Sequence, residues 1–174
     1  MFGLFKPTMA RTAEPLSPKL SRLLREASWL LLAAVGCYLA LILLTYHRSD
    51  PGWSHTGGEV VRNTGGPFGA WLADLLLSVF GVSAWWWAAL AFVIVLNSYR
   101  RLDLSGLVDR HSVAVTSIGF VIVLLASAAI EALRMHSAGA ELPGVPGGMF
   151  GVLISGILSY GFGFTGTTLL LLVL

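Results

Sequence analysis

Three ionisable residues stand inside apolar runs of this chain: Asp74, Glu131 and Arg134. Asp74 is the only charge between Pro67 and Leu96, and Glu131 and Arg134 lie three positions apart near the end of a run that begins at Val113. A charge at membrane depth is costly, so such groups commonly mark proton or ion paths, and a small transport or intramembrane catalytic subunit using Asp74 or Glu131 is one reading. The other is structural. Glu131 and Arg134 share a helical face and are expected to pair, or to snorkel, about a turn from the membrane boundary. Asp74 would cap a short helix, line a subunit contact, or sit among headgroups. A transport path needs more polar residues at mid-depth than this sequence supplies. There is no Gly-x-x-x-x-Gly-Lys-Ser/Thr loop for ATP and no basic groove with interleaved aromatics for DNA. The single cysteine, Cys37, excludes a disulfide framework or a cysteine metal site. No catalytic, cofactor-binding or metal-ligating residue is therefore predicted.

The elements that must carry these residues are membrane helices. Hydrophobic residues make up 56% of the chain and charged ones 11%, with a mean hydropathy of +0.79, whereas soluble domains carry about a quarter charged residues. Residues 1–16 read as a tail. Residues 17–46 read as a basic amphipathic turn leading into a first span, with Ser17 as N-cap and Pro18 at the first helical position. Lys19, Arg22 and Arg25 suit anionic headgroups. The leader is too long, and lacks the small-x-small site, for a signal peptide. Residues 47–66 form an outer loop, and residues 67–80 a short interfacial or re-entrant helix. Gly81 is a corner, residues 82–99 the second span, and residues 100–112 an inner loop. The third span covers 113–135, a second outer loop 136–148, a second short helix 149–163, and a fourth span starts at 164 and runs to 174. Basic flanks stay in the cytoplasm. Arg100, Arg101 and Arg110, with five Lys and Arg ahead of the first span, therefore put both the inner loop and the N-terminus inside. The last apolar run, cut off in mid-span, leads us to expect any engine beyond residue 174.

Within the outer loop, Asp50-Pro51-Gly52-Trp53-Ser54 has the composition of a tight turn, with Asp first, Pro second and Gly at positive φ third. Trp53 and the run Trp85, Trp86, Trp87 are expected in interfacial aromatic belts. Gly119, Ala126, Ser127, Ala128 and Ala129 form a small-residue face, open to packing either within one subunit or between subunits. Sliding the chain by 82 positions sets Gly65-Gly66-Pro-Phe-Gly69 on Gly147-Gly-Met-Phe-Gly151, and Phe80-Gly81 on Phe162-Gly163. The expected fold is thus an all-α membrane protein, with four transmembrane helices in two pseudo-repeats and a short helix before each returning span. Asp74 falls on Gly156, so the acid is not repeated.

Three segments carry a resemblance: Ser49-Asp-Pro-Gly-Trp-Ser54 after the first span, Asn63-Thr-Gly65-Gly66-Pro-Phe-Gly69-Ala-Trp-Leu-Ala-Asp74, and Phe80-Gly81 before the second. In order and across almost the whole chain, they resemble the amino-terminal membrane domain of FtsK/SpoIIIE-type bacterial DNA translocases. The resemblance implies a four-span anchor in the bacterial inner membrane, gathered at the division septum, with both ends cytoplasmic. It implies a homo-oligomer, a hexamer in the family, that meets the lipid bilayer and other division proteins. ATP, Mg²⁺ and DNA are implied only for a motor region C-terminal to this chain, which couples chromosome segregation to division. The interaction candidates on this reading are the loop residues Asp50 to Ser54, Asn63, Gly65, Gly66, Gly69, Asp74, Phe80, Gly81, Glu131 and Arg134.

Overall fold

A computed structural model of the chain describes residues 17–58, 60–100, 110–135 and 142–174. The expected tail at 1–16, most of the inner loop, and residues 136–141 of the second outer loop lie outside the described residues. What is described is helical, without strands. Helix α1 spans Pro18–Leu44 and starts where the Ser17 hydroxyl accepts the Leu20 N–H at 3.4 Å. Its 27 residues make about 40 Å of helix, enough to cross a bilayer with a turn or two to spare. It ends at Thr45, whose hydroxyl turns back to the Leu41 carbonyl at 2.8 Å.

After the loop come α2 (Gly66–Phe80), a 3₁₀ turn (Gly81–Ala84), α3 (Trp85–Arg100), α4 (Arg110–Arg134) and α5 (Gly148–Val173). Four segments are long and apolar enough to cross a membrane: Lys19–Leu44, Gly66–Asn97, Val113–Arg134 and Gly148–Val173. The 32 residues of Gly66–Asn97 would make a straight rod of about 48 Å, well beyond a hydrocarbon core of about 30 Å. The rod is broken at Gly81, where φ 65° and ψ −147° lie in a region essentially reserved for glycine. A Cβ there would also sit 2.5 Å from Glu131 Oε1. In α5, Gly163 has φ 65° and ψ 174°, so the helix is kinked 82 positions after Gly81.

The helices pair as α1 on α3 and α4 on α5, while α2 touches both α1 and α5 and the 3₁₀ turn rests on α4. Ile42, Leu43, Ala73, Leu77 and Ala84 form one core, with Tyr46 and Trp85 against it. Ala126, Ala129 and Leu171 form a second. Ala128 and Ala129 are fully buried, so this part of the small-residue face is used for close packing inside the chain, whereas Gly119 lies open. Outward, Leu30, Leu31, Ile118, Ile157 and Leu172 are exposed over the lengths of the spans. An apolar exterior of that extent is covered by lipid rather than water.

Candidate functional site

Asp74 is buried because of its place on α2. Gly69, Ala70, Ala73, Asp74 and Leu77 recur at helical spacing and form the inner stripe, while Phe68 and Trp71 face outward, stacked at 6.4 Å. The carboxylate is fully enclosed and bound on both oxygens. Oδ2 accepts the Ser54 backbone N–H at 2.6 Å; Oδ1 accepts the Tyr46 hydroxyl at 3.0 Å and the Ser54 hydroxyl at 3.1 Å. His55 Nδ1 stands 3.7 Å from Oδ1 and 2.9 Å from Ser54 Oγ. Burial and then the Asp74 charge push the Tyr46 phenol well above its ordinary value, so at neutral pH it is a proton donor to the acid.

This acid ties down the loop rather than capping its own helix, and it is not solvated among headgroups. Gly52 explains how the loop comes so close, since a Cβ there would fall 2.5 Å from the Asp74 carboxyl carbon. The expected turn is corrected here. Gly52 is not among the described glycines with positive φ; the hydrogen-bonded turn lies three residues earlier, over His47 to Asp50, where the Asp50 N–H reaches the His47 carbonyl at 3.1 Å. The glycine is needed for space, and Asp50 for a different task. Asp50 is 2% exposed and accepts the N–H groups of Arg62 at 2.9 Å and Asn63 at 2.7 Å. Asn63 then donates to the Ile42 carbonyl at 2.8 Å, one of the orphan acceptors at the end of α1, and accepts the Gly65 N–H at 2.9 Å. The chain Asp50, Asn63, Gly65 thereby fixes the end of α1 to the start of α2.

Gly65 is the N-cap of α2, Gly66 its first residue at φ 70°, and Gly69 packs against Ile42 and Asn63. Pro51 is half-buried, and Trp53 and Ser54 are exposed. Phe80 stacks on Phe150 at 5.6 Å and meets Trp87 at 6.0 Å. Of the three consecutive tryptophans only Trp86 is exposed; Trp87 turns inward onto Phe120 at 5.2 Å.

Glu131, 4% exposed, makes a second tie. Its oxygens accept the N–H groups of Val82 at 2.9 Å and Ser83 at 3.0 Å, and the Ser83 hydroxyl at 3.2 Å. These N–H groups open a helix and lack intrahelical partners, and the positive end of the helix dipole favours an anion there. The expected pairing of Glu131 with Arg134 is overturned for that reason. Arg134 turns instead to α5, donating to Thr168 Oγ1 at 3.3 Å and lying 4.8 Å over the Phe164 ring.

The structure therefore gathers Asp50, Gly52, Ser54, Asn63, Gly65, Gly69 and Asp74 into one hydrogen-bonded layer, and sets Gly81 and Glu131 in another. The sequence did not single out Tyr46, His55 or Ser83, and Ser127, expected in a small-residue packing face, lies 2.9 Å from Ser83 Oγ and accepts the Trp86 indole N–H at 3.1 Å. A serine two positions after the Gly81 corner was the one usable signal, a helix-start residue type in a helix-start position. Asp74 and Glu131 each accept three hydrogen bonds, and Asp50 and Glu131 each accept two backbone N–H groups. Such an arrangement holds distant segments of the chain in place.

Residues 21–174 match the 4TM region of DNA translocase FtsK/SpoIIIE. The chain is 45% identical over 174 residues to DNA translocase FtsK 2 of Ralstonia nicotianae, covering 97% of this chain and 22% of that protein. It is 33% identical to DNA translocase FtsK of Pseudomonas syringae pv. syringae (97% and 21%) and 31% identical to DNA translocase FtsK 1 of Neisseria meningitidis serogroup B (87% and 19%). The chain thus spans about a fifth of the length of these relatives. No solved structure matches it. Four apolar helices, a glycine-cornered α2 and the Asp50 to Asp74 layer coincide with the matched region, and the chain belongs to the FtsK/SpoIIIE family as its four-span membrane region.

Proposed function

We propose that this region anchors, targets and helps assemble an FtsK-like translocase at the division septum of the bacterial inner membrane, where the whole protein couples chromosome segregation to division. The reading rests on the family match over residues 21–174 together with the ordered loop layer around Asp74. A passive anchor needs four apolar helices and nothing more. Here two buried acids hold a shaped surface of loop and short helix on one side of the membrane, as a recognition surface for division proteins requires. On this reading the loop side is periplasmic, the N-terminus is cytoplasmic, and subunits associate, as a hexamer, through the spans. ATP, Mg²⁺ and DNA are handled by the motor region of the longer protein. The transport or intramembrane catalytic alternative gains no support, because Asp74 and Glu131 are each committed to fixed donors. The test replaces residues 17–174 of the fluorescently tagged full-length protein with an unrelated four-span bundle. The swapped protein is expected in the membrane but spread around the cell; if it still gathers at the septum, targeting lies elsewhere and the reading fails.

A further inference from the structure

Helices α3 and α4 part below the 3₁₀ turn and leave a groove of about 580 Å³, open to the bilayer and closed at its back by the last turns of α5. Trp85, Trp86 and Ala89 form one wall, Val123 and Ala126 the other, and Leu171 the floor. We propose that this groove holds one acyl chain of an anionic phospholipid from the leaflet on the loop side, with the lipid phosphate on Arg134.

Two observations select that occupant. The groove's polar atoms already satisfy one another: Ser83 Oγ and Ser127 Oγ are 2.9 Å apart, Trp86 Nε1 donates to Ser127 Oγ at 3.1 Å, and Glu131 is taken by Val82 and Ser83. The groove therefore asks for hydrocarbon and not for a polar solute. At its rim, Arg134 precedes the lining residue Met135 and bonds Thr168, one turn before Leu171 and Leu172. With Glu131 committed elsewhere, this exposed guanidinium has no carboxylate partner among the described residues, and a phosphate at headgroup depth supplies the missing anion.

The full-length protein is reconstituted in vesicles of phosphatidylcholine and phosphatidylglycerol in which a trace of the phosphatidylglycerol carries a photoreactive acyl chain. Labelling is expected to concentrate at least fivefold in peptides holding residues 85–89 and 123–130 over the lipid-facing peptide around Leu30 and Leu31. Arg134→Gln and the groove-filling Ala89→Phe should each lower that enrichment to below twofold, while Arg22→Gln leaves it unchanged. Uniform labelling of the wild type overturns the proposal without reliance on any variant. So does enrichment that survives both substitutions.

Discussion

Replacing Asp74 by alanine removes the acceptor for three hydrogen bonds, those from the Ser54 N–H at 2.6 Å, the Ser54 hydroxyl at 3.1 Å and the Tyr46 hydroxyl at 3.0 Å. Bonds to a charged acceptor contribute about 1.5–3 kcal/mol each, and a stranded buried donor costs about 1–3 kcal/mol. Ser54 is exposed and rehydrates, and removing the buried charge relieves its own desolvation, so the net cost is well under the sum. The expected loss is about 2–4 kcal/mol, felt as local opening of the loop rather than loss of the spans. Because 1.4 kcal/mol is a factor of ten, exchange of loop amides at residues 47–64 should accelerate roughly thirty- to several-hundred-fold. Hydrogen-exchange mass spectrometry of the full-length protein in micelles reads this directly, with helical peptides of α1 and α4 as internal standards. Asp74→Asn should fall between, since one carboxylate oxygen becomes an NH₂ group that repels one of the donors. Loop exchange within threefold of wild type in Asp74→Ala would refute the claim that this acid holds the loop.

Further outcomes follow from the same geometry. Glu131→Gln keeps one acceptor where Val82, Ser83 N–H and Ser83 O–H need two oxygens, and should cost about 1.5–3 kcal/mol in reversible unfolding within micelles; a change below 0.5 kcal/mol would remove its capping role. Gly81→Ala forces Cβ onto Glu131 at a glycine-only conformation and should cost about 3 kcal/mol or more, whereas Gly119→Ala, in open space, should be neutral or slightly stabilising. The raised Tyr46 value means its bond to Asp74 is fully present below the ordinary tyrosine range of about 10 and is lost only as pH rises through the higher folded value. Alkaline difference spectra of wild type against Tyr46→Phe should show this phenol ionising last, and ionisation at or below the ordinary value would contradict the buried contact.

The spans were legible because their signal is local. Twenty uncharged residues from Ala27 to Tyr46, a glycine at position 81 inside an overlong run, and Ser17-Pro18 are each read within one contiguous segment. The ties that shape the loop side were not, because they join residues far apart in the chain: Asp74 with Tyr46 and Ser54, Asp50 with Arg62 and Asn63, Glu131 with Val82 and Ser83. The Glu131 and Arg134 error shows why. Spacing placed them on one face, and an isolated helix would pair them, but unsatisfied N–H groups at the head of the second span competed for the carboxylate and won. Gly52 was read as a turn glycine when its function is to leave room for an acid 22 positions later.

Orientation tests the anchoring account most directly, because every assignment of a surface to division partners depends on which side the Asp74 layer faces. In a full-length protein from which Cys37, the only cysteine of these 174 residues, and any cysteine beyond them have been removed, single cysteines are placed at the exposed loop residue Thr56 and at Ser17. A membrane-impermeant maleimide applied to cells with a permeable outer membrane and an intact inner one should label the Thr56→Cys protein and spare the Ser17→Cys protein until the inner membrane is opened. Labelling of Ser17→Cys alone in intact cells would put the acid-tied layer in the cytoplasm and contradict the account.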